Sequence, residues 1–230
     1  MSNFIQSSTF FGVMLSLISY GIGMELKKRW KHSMFNPLLI AVCISILVLV
    51  VLHIDYNVYY EGAKYISYLL TPATVCLAIP LYEQISILKS NWKAILTGIL
   101  SGVFASAASI LAMCLIFHLT HKEYVTLLPK SITTAIGMDL SAELKGYVSI
   151  TVAVIVITGV LGNVIAEGVF NLFKITEPIA KGVALGTASH AIGTAKAMEI
   201  GEVEGAISSL SIVVSGIITV IFASVFAQFL

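Results

Sequence analysis

The chain has 230 residues, of which 58% are hydrophobic and 11% charged, with a mean hydropathy of +0.98. A soluble domain is about one quarter charged, so the long Ile, Leu, Val and Ala runs exclude water as the medium of this fold and imply a lipid bilayer. The net charge of +1, with dispersed basic residues, gives no reason to expect a nucleic-acid partner.

A membrane-crossing helix needs about 20 mainly apolar residues. The first candidate, residues 4–24, reads as a retained span, because no basic residue precedes it and no small-residue cleavage site follows it. After it come Lys27, Lys28, Arg29 and Lys31, the usual mark of a cytoplasmic loop. A second span covers residues 37–53, and residues 1–58 are expected to form a scaffold or oligomerisation part ahead of a core at 59–230.

The core begins with an interrupted stretch at 64–83. Pro72 and Pro80 each remove a helical hydrogen bond, and Thr71, Thr74 and Tyr82 place hydroxyls around the breaks. A long helix at 92–118 follows, with Gly98, Gly102 and Ser106 on one face as a helix-packing device. The second interrupted stretch, 126–141, gathers Pro129, Lys130, Ser131, Thr133 and Thr134. Pro129 is expected to open a half-helix whose N–H groups, with these hydroxyls, attract an anion. Lys130 is assigned to the membrane interface, snorkelling to headgroups. After the helix at 147–173, in which Glu167 is read as a lone carboxylate, a third interrupted stretch covers 179–199. It mixes Gly186, Thr187, Ser189, His190, Gly193, Thr194 and Lys196. On a continuous helix Gly186, His190 and Gly193 would share a face, with His190 able to exchange a proton and Lys196 to neutralise a carboxylate. A final span covers 205–230.

Counted as eight crossings, these stretches put Lys27–Lys31, Lys89 with Lys93, and Lys145 on one side; re-entry of any interrupted stretch would flip the later orientations. A weak repeat of about 60 residues pairs an interrupted segment with a long helix, matching Thr97-Gly98-Ile99-Leu100 to Thr158-Gly159-Val160-Leu161. Cys43, Cys76 and Cys114 lie in apolar runs and read as small buried hydrophobes. No catalytic motif or metal-ligand spacing occurs, so neither an enzyme nor a cofactor is expected.

Three motifs carry a resemblance: TPATVCLAIPLYEQ at 71–84, LLPKSITTAIGM at 127–138 and AKGVALGTASHAIGTAKAMEIGEVEGAISSL at 180–210. Together they resemble the LrgB/CidB family, in detail closer to CidB, from about Tyr59 to the C-terminus. The resemblance implies holin- or antiholin-like bacterial plasma-membrane proteins that modulate murein hydrolase activity and autolysis with a small LrgA/CidA-type partner. Relatives carry small monocarboxylates such as glycolate, glycerate and pyruvate. Pro129, Thr71, Pro72, Thr74, Pro80, Tyr82, Ser131, Thr133, Gly186, His190, Gly193, Thr194 and Lys196 match the family pattern. Thr134-Ala135 departs from the usual Thr-Pro, Glu167 stands where relatives carry a small residue, and the final helix lacks its proline. The expectation is an all-helical membrane protein, transporter-like and homodimeric, of about eight segments, several of them broken or re-entrant. Its site for a small carboxylate would be built from the three interrupted stretches.

Overall fold

The computed structural model describes residues 10–30 and 36–230, apart from the side chains of Leu70 and Thr74. Residues 4–9 of the first expected span, Lys31 and the Thr74 hydroxyl lie outside what is described. The described elements are helices, and they divide into two compact units, Met1–Cys76 and Leu77–Leu230. Tyr56–Glu83, Ile85–Ile116, Val148–Leu172 and Glu202–Phe229 are each long and apolar enough to cross a bilayer.

The first unit contains α1 (Phe11–Trp30), α2 (Pro37–Val51), α3 (Tyr56–Ser67) and α4 (Leu70–Cys76). Asn36 starts α2 by accepting from the Leu38 and Leu39 N–H groups, with Pro37 at the first helical position. Asp55 starts α3 by accepting from Asn57 N–H at 2.8 Å. Gly12 brings α1 onto the backbone of α3 near Tyr59 and Ala63, and Ser16 Oγ meets the Tyr59 hydroxyl at 2.7 Å. Because α3 belongs with α1, this unit runs past the boundary at residue 58 expected from sequence. Cys43 and Cys76 are exposed, and of the three cysteines Cys114 alone is buried. A chain that faces lipid has no need to hide a thiol, so apolar context did not imply burial.

The second unit contains α5 (Ala78–Glu83), α6 (Ile85–Ile116), α7 (His121–Leu127), α8 (Thr134–Glu143), α9 (Val148–Leu172), α10 (Pro178–Ile200) and α11 (Glu202–Phe226). Its surface and interior are inverted relative to a soluble domain. Ile157, Leu161, Ile165, Val213, Ile217 and Ile221 face outward, whereas Ser208, Ser211 and Ser215 of α11 are buried. Those serines fall on one face with Gly205 and Gly216, which permits the close helix approach that drives association in lipid.

Four helices stop in the same way. His53, His118, Lys145 and Lys174 each follow a helix end with φ between 51° and 61°. The next residue then donates back into the last turn, as in Leu119 N–H to Cys114 O at 2.9 Å and Ile175 N–H to Phe170 O at 2.8 Å. Glycine is the residue that adopts this backbone freely. His118→Gly is therefore expected to raise thermal stability by about 0.5 kcal/mol in a detergent melting assay.

α10 is not a single straight helix. His190 has φ 42° and ψ −136°, a conformation that belongs to glycine in tight turns, and it divides the element into arms 178–189 and 191–200. Contacts along α11 give the direction of each arm. On the first arm, Gly182 stands against Ile207 and Gly186 against Ser211. On the second, Thr194 meets Ser208 and Met198 meets Gly205. One arm runs parallel to α11 and the other antiparallel, so the chain enters, turns at His190 and leaves by the same end. On α9, Ser189 stands against Gly162, and Ile192 and Lys196 then step onward past Asn163 and Glu167, so the second arm runs parallel to α9.

Residues 121–143 form a second hairpin. Thr151 Oγ1 donates to Thr126 O at 2.9 Å and lies 2.7 Å from Ser141 Oγ, which places the start of one arm beside the end of the other. Gly137 lies against Ile155 near the Pro129 carbonyl, so the tip is at 129–133. Arms of about 10 residues reach about 15 Å, half of a hydrocarbon core about 30 Å thick. Both interrupted stretches of this unit are thus re-entrant, which lowers the number of full crossings accordingly. Each hairpin is followed by a 25-residue helix, α9 or α11, giving the repeat its structural form.

The hairpins enter from opposite ends. Residues 121–143 start where α6 and α11 finish, with Tyr124 Oη donating to Phe226 O at 2.9 Å. Residues 178–200 start beside Asn91 and Ala94, at the N-terminal end of α6. The two repeats are therefore inverted. One consequence corrects the expected loop sides: Lys89, Lys93, Lys174 and Lys181 stand at the N-terminal end of α6, whereas Lys145 stands with Lys122 at the other end. Lys122 Nζ there lies 4.0 Å from the Tyr147 ring centroid, and the flip follows from α7–α8 returning without crossing.

Candidate functional site

The hairpin tips meet halfway along α6. Thr187, near the second tip, lies against Gly102, whose added Cβ would come within 2.7 Å of the Thr187 methyl. Ser131, on the first tip, faces Ser106 at 3.3 Å between hydroxyl oxygens. Gly102 and Ser106 are one helical turn apart, so both tips sit at one depth, about 6 Å from each other along the axis. Two half-helices begin here, at Thr134 and at Ala191. Thr133 holds the N-cap position of the first without making a side-chain cap bond. Freed backbone groups and helix N-termini at mid-membrane are the parts from which anion and ion sites in transporters are made.

An open groove of ≈ 900 Å³ runs along α6 and the first arm of α10, with Ala94, Ala105, Ser109, Ala184 and Ala188 of its lining exposed. It extends from the level of Asn91 and Glu177 to a polar floor of Ser106, Lys130, Ser131 and Thr187, with Ser109 lining it about one turn further along α6. A second space of ≈ 20 Å³, enough for one water, continues beneath the same Ser106, Ser131 and Thr187. Beyond it the unit is closed by an apolar cluster that includes Ile110, Tyr124, Leu128, Ile132, Leu140 and Ala223. At the outer end of that cluster, backbone and hydroxyl hydrogen bonds from Thr120 hold the Glu123 carboxyl below the usual carboxylate range.

Thr187 is 6% exposed, and among the described residues its hydroxyl has no hydrogen-bond partner. A buried hydroxyl left in this state costs about 1–3 kcal/mol, which marks the floor as a place for a polar guest. Around it the other polar groups are engaged. His190 is 3% exposed and its Nε2–H donates to Ile155 O at 3.0 Å, since a carbonyl only accepts. Asn163 Nδ2 donates to Ile192 O at 3.1 Å, serving a carbonyl just past the break. Lys196 Nζ reaches Glu167 at 2.5 Å and Glu199 at 3.4 Å.

Residues 16–229 match the LrgB-like family. Relatives named antiholin-like protein LrgB, from Bacillus mycoides strain KBAB4 and Bacillus cereus strain B4264, are each 37% identical over 222 residues, covering 96% of both chains. The chain belongs to the LrgB-like family. No solved structure matches it.

Within this LrgB-like protein the residues singled out from sequence separate into groups. Ser131 and Thr187 share the cavity floor, with Thr133 and Thr134 beginning the adjoining half-helix. Gly186 and Gly193, expected on one face of a continuous helix, lie on different arms: Gly186 seats α10 on α11, and Gly193 abuts the Leu185 carbonyl across the turn. Ser189 and His190 are buried against α9, and Thr194 is spent on Ser208 at 2.7 Å. Lys196 is neutralised by Glu167, so Glu167 is not a lone carboxylate. Thr71 and Pro72 fall in the first unit, and Tyr82 on α5 is 76% exposed. Lys130 is corrected outright: it lies at a hairpin tip on the cavity floor, because the segment turns back at mid-depth. Ser106 was missed as a polar lining group. Its four-residue spacing from Gly102 signalled packing, and the face meets both hairpins of the same chain, Gly102 against Thr187 and Ser106 against Ser131.

Proposed function

We propose that this multi-pass protein is a permease for small monocarboxylates of the pyruvate, lactate and glycolate class, working in a bacterial plasma membrane. The observation that carries the reading is the meeting of two oppositely directed re-entrant hairpins around a cavity floor with an unpartnered hydroxyl. Inverted repeats that hold a site at mid-depth suit alternating access, in which one end opens while the other closes. Here the cavity reaches the floor from the N-terminal end of α6, and the apolar cluster seals the opposite end. The excess of lysines at the N-terminal end of α6 supports a cytoplasmic orientation for that end.

Carboxylate flux then supplies the link to murein hydrolase control and autolysis, and the unit Met1–Cys76 offers a surface for a homodimer or a small LrgA/CidA-type partner. A second reading, favoured by the antiholin-like names of the relatives, is a regulator that acts through assembly alone. Such a regulator has no use for a cavity ending in half-helix N-termini. Purified protein in liposomes is expected to take up labelled pyruvate saturably, with competition from unlabelled lactate and glycolate. Uptake indistinguishable from empty liposomes would decide for the regulator.

A further inference from the structure

Two lysines of the second unit lie within its hairpins, and their surroundings differ. Lys196 has its charge cancelled by Glu167 and Glu199. Lys130 is half-buried on the cavity floor, and its Nζ donates to Ser131 Oγ at 2.8 Å. Among the described residues no carboxylate pairs with it. Glu177, the one acidic residue lining the same cavity, stands near Asn91, whereas Lys130 stands near Ser106. Fifteen helical residues of α6 separate those levels, about 22 Å. An ammonium at this depth needs a counter-charge, and none of the described residues provides it.

We infer that Lys130 binds the carboxylate of the substrate, and that its single uncompensated charge makes the site selective for small monoanions. The inference rests on the transport reading above and names the group that would do the binding. Ser131 orients the ammonium, Ser106 bonds to Ser131, and the unpartnered Thr187 hydroxyl on the same floor is free to donate to a second substrate oxygen. A neutral analogue would leave the ammonium unmatched. A dianion would bring one more negative charge than the floor can neutralise.

The test is uptake of labelled pyruvate into liposomes by the full chain and by Lys130→Met and Lys130→Arg, with lactate, lactamide and malonate as competitors. For the unaltered chain, lactate should compete at least about tenfold better than lactamide or malonate. Loss of one charged hydrogen-bonded contact corresponds to about 10- to 100-fold in affinity. Lys130→Met should therefore raise the half-saturating pyruvate concentration by that factor and level the preference for lactate over lactamide, while Lys130→Arg retains the preference. The ligand-free melting temperature of Lys130→Met should not fall, because no protein carboxylate loses its partner; if it does fall, Lys130 is structural and the inference is overturned. Saturable uptake by the unaltered chain with an unchanged Lys130→Met profile overturns this inference alone. Absence of uptake by the unaltered chain overturns the transport reading itself.

Discussion

With Cys43, Cys76 and Cys114 replaced by alanine, single cysteines at Thr176 and Glu202 are expected to react with an impermeant thiol reagent from the same membrane face. Cysteines at His118 and Lys145 should react from the opposite face. The first pair brackets residues 178–200 and the second brackets 121–143, and all four positions are exposed. The physical reason is length. The arms 178–189 and 191–200 extend about 18 Å and 15 Å, too short for either to cross a core of about 30 Å. Both lie along the same stretch of α11 in opposite senses, so their outer ends share a face. In intact cells the expected orientation exposes His118 and Lys145 to the reagent and shields Thr176 and Glu202. Labelling of Thr176 and Glu202 from opposite faces would remove the hairpin and the site built on its tip.

Hydropathy could not supply this. Two half-length arms joined at mid-depth present the same run of about 20 weakly apolar residues as one crossing helix. The breaks themselves were legible, at Pro129 and in the glycine- and hydroxyl-rich run around His190, because those residue types resist burial in an unbroken lipid-facing helix. What was not legible was the direction of the chain after each break, and Lys145 was placed at the wrong end for that reason. The roles of the two lysines were hidden by distance along the chain. Whether an ammonium is free depends on a carboxylate brought from another helix. Glu167 lies 29 residues before Lys196, and no local pattern connects them. The small-residue face of Gly98 and Gly102 was readable as a packing surface. Its partner, Val183 and Thr187 of the second hairpin, required the fold.

Two threonines that look alike in the sequence motif should respond to the same substitution with opposite signs. Thr187→Val removes a buried hydroxyl that bonds to none of the described residues and replaces it with a methyl of similar size. The penalty of about 1–3 kcal/mol for an unsatisfied buried group disappears, so the purified variant is expected to melt at or above the parent temperature. Pyruvate uptake should nonetheless fall about tenfold or more, because the substrate loses its hydroxyl contact at the cavity floor. Thr194→Val is the counterpart. Its hydroxyl meets Ser208 Oγ at 2.7 Å, and Thr194 and Ser208 are 1% and 0% exposed. Removing one member leaves the Ser208 hydroxyl stranded, at a cost of about 1–3 kcal/mol, while the floor keeps its groups and the half-saturating concentration stays near that of the parent. A lower melting temperature with normal affinity at Thr194, against an unimpaired melting temperature with lost uptake at Thr187, is the pattern that a binding floor requires. If both variants melt early, or if both transport normally, Thr187 is an ordinary packing residue and the polar guest must be sought elsewhere.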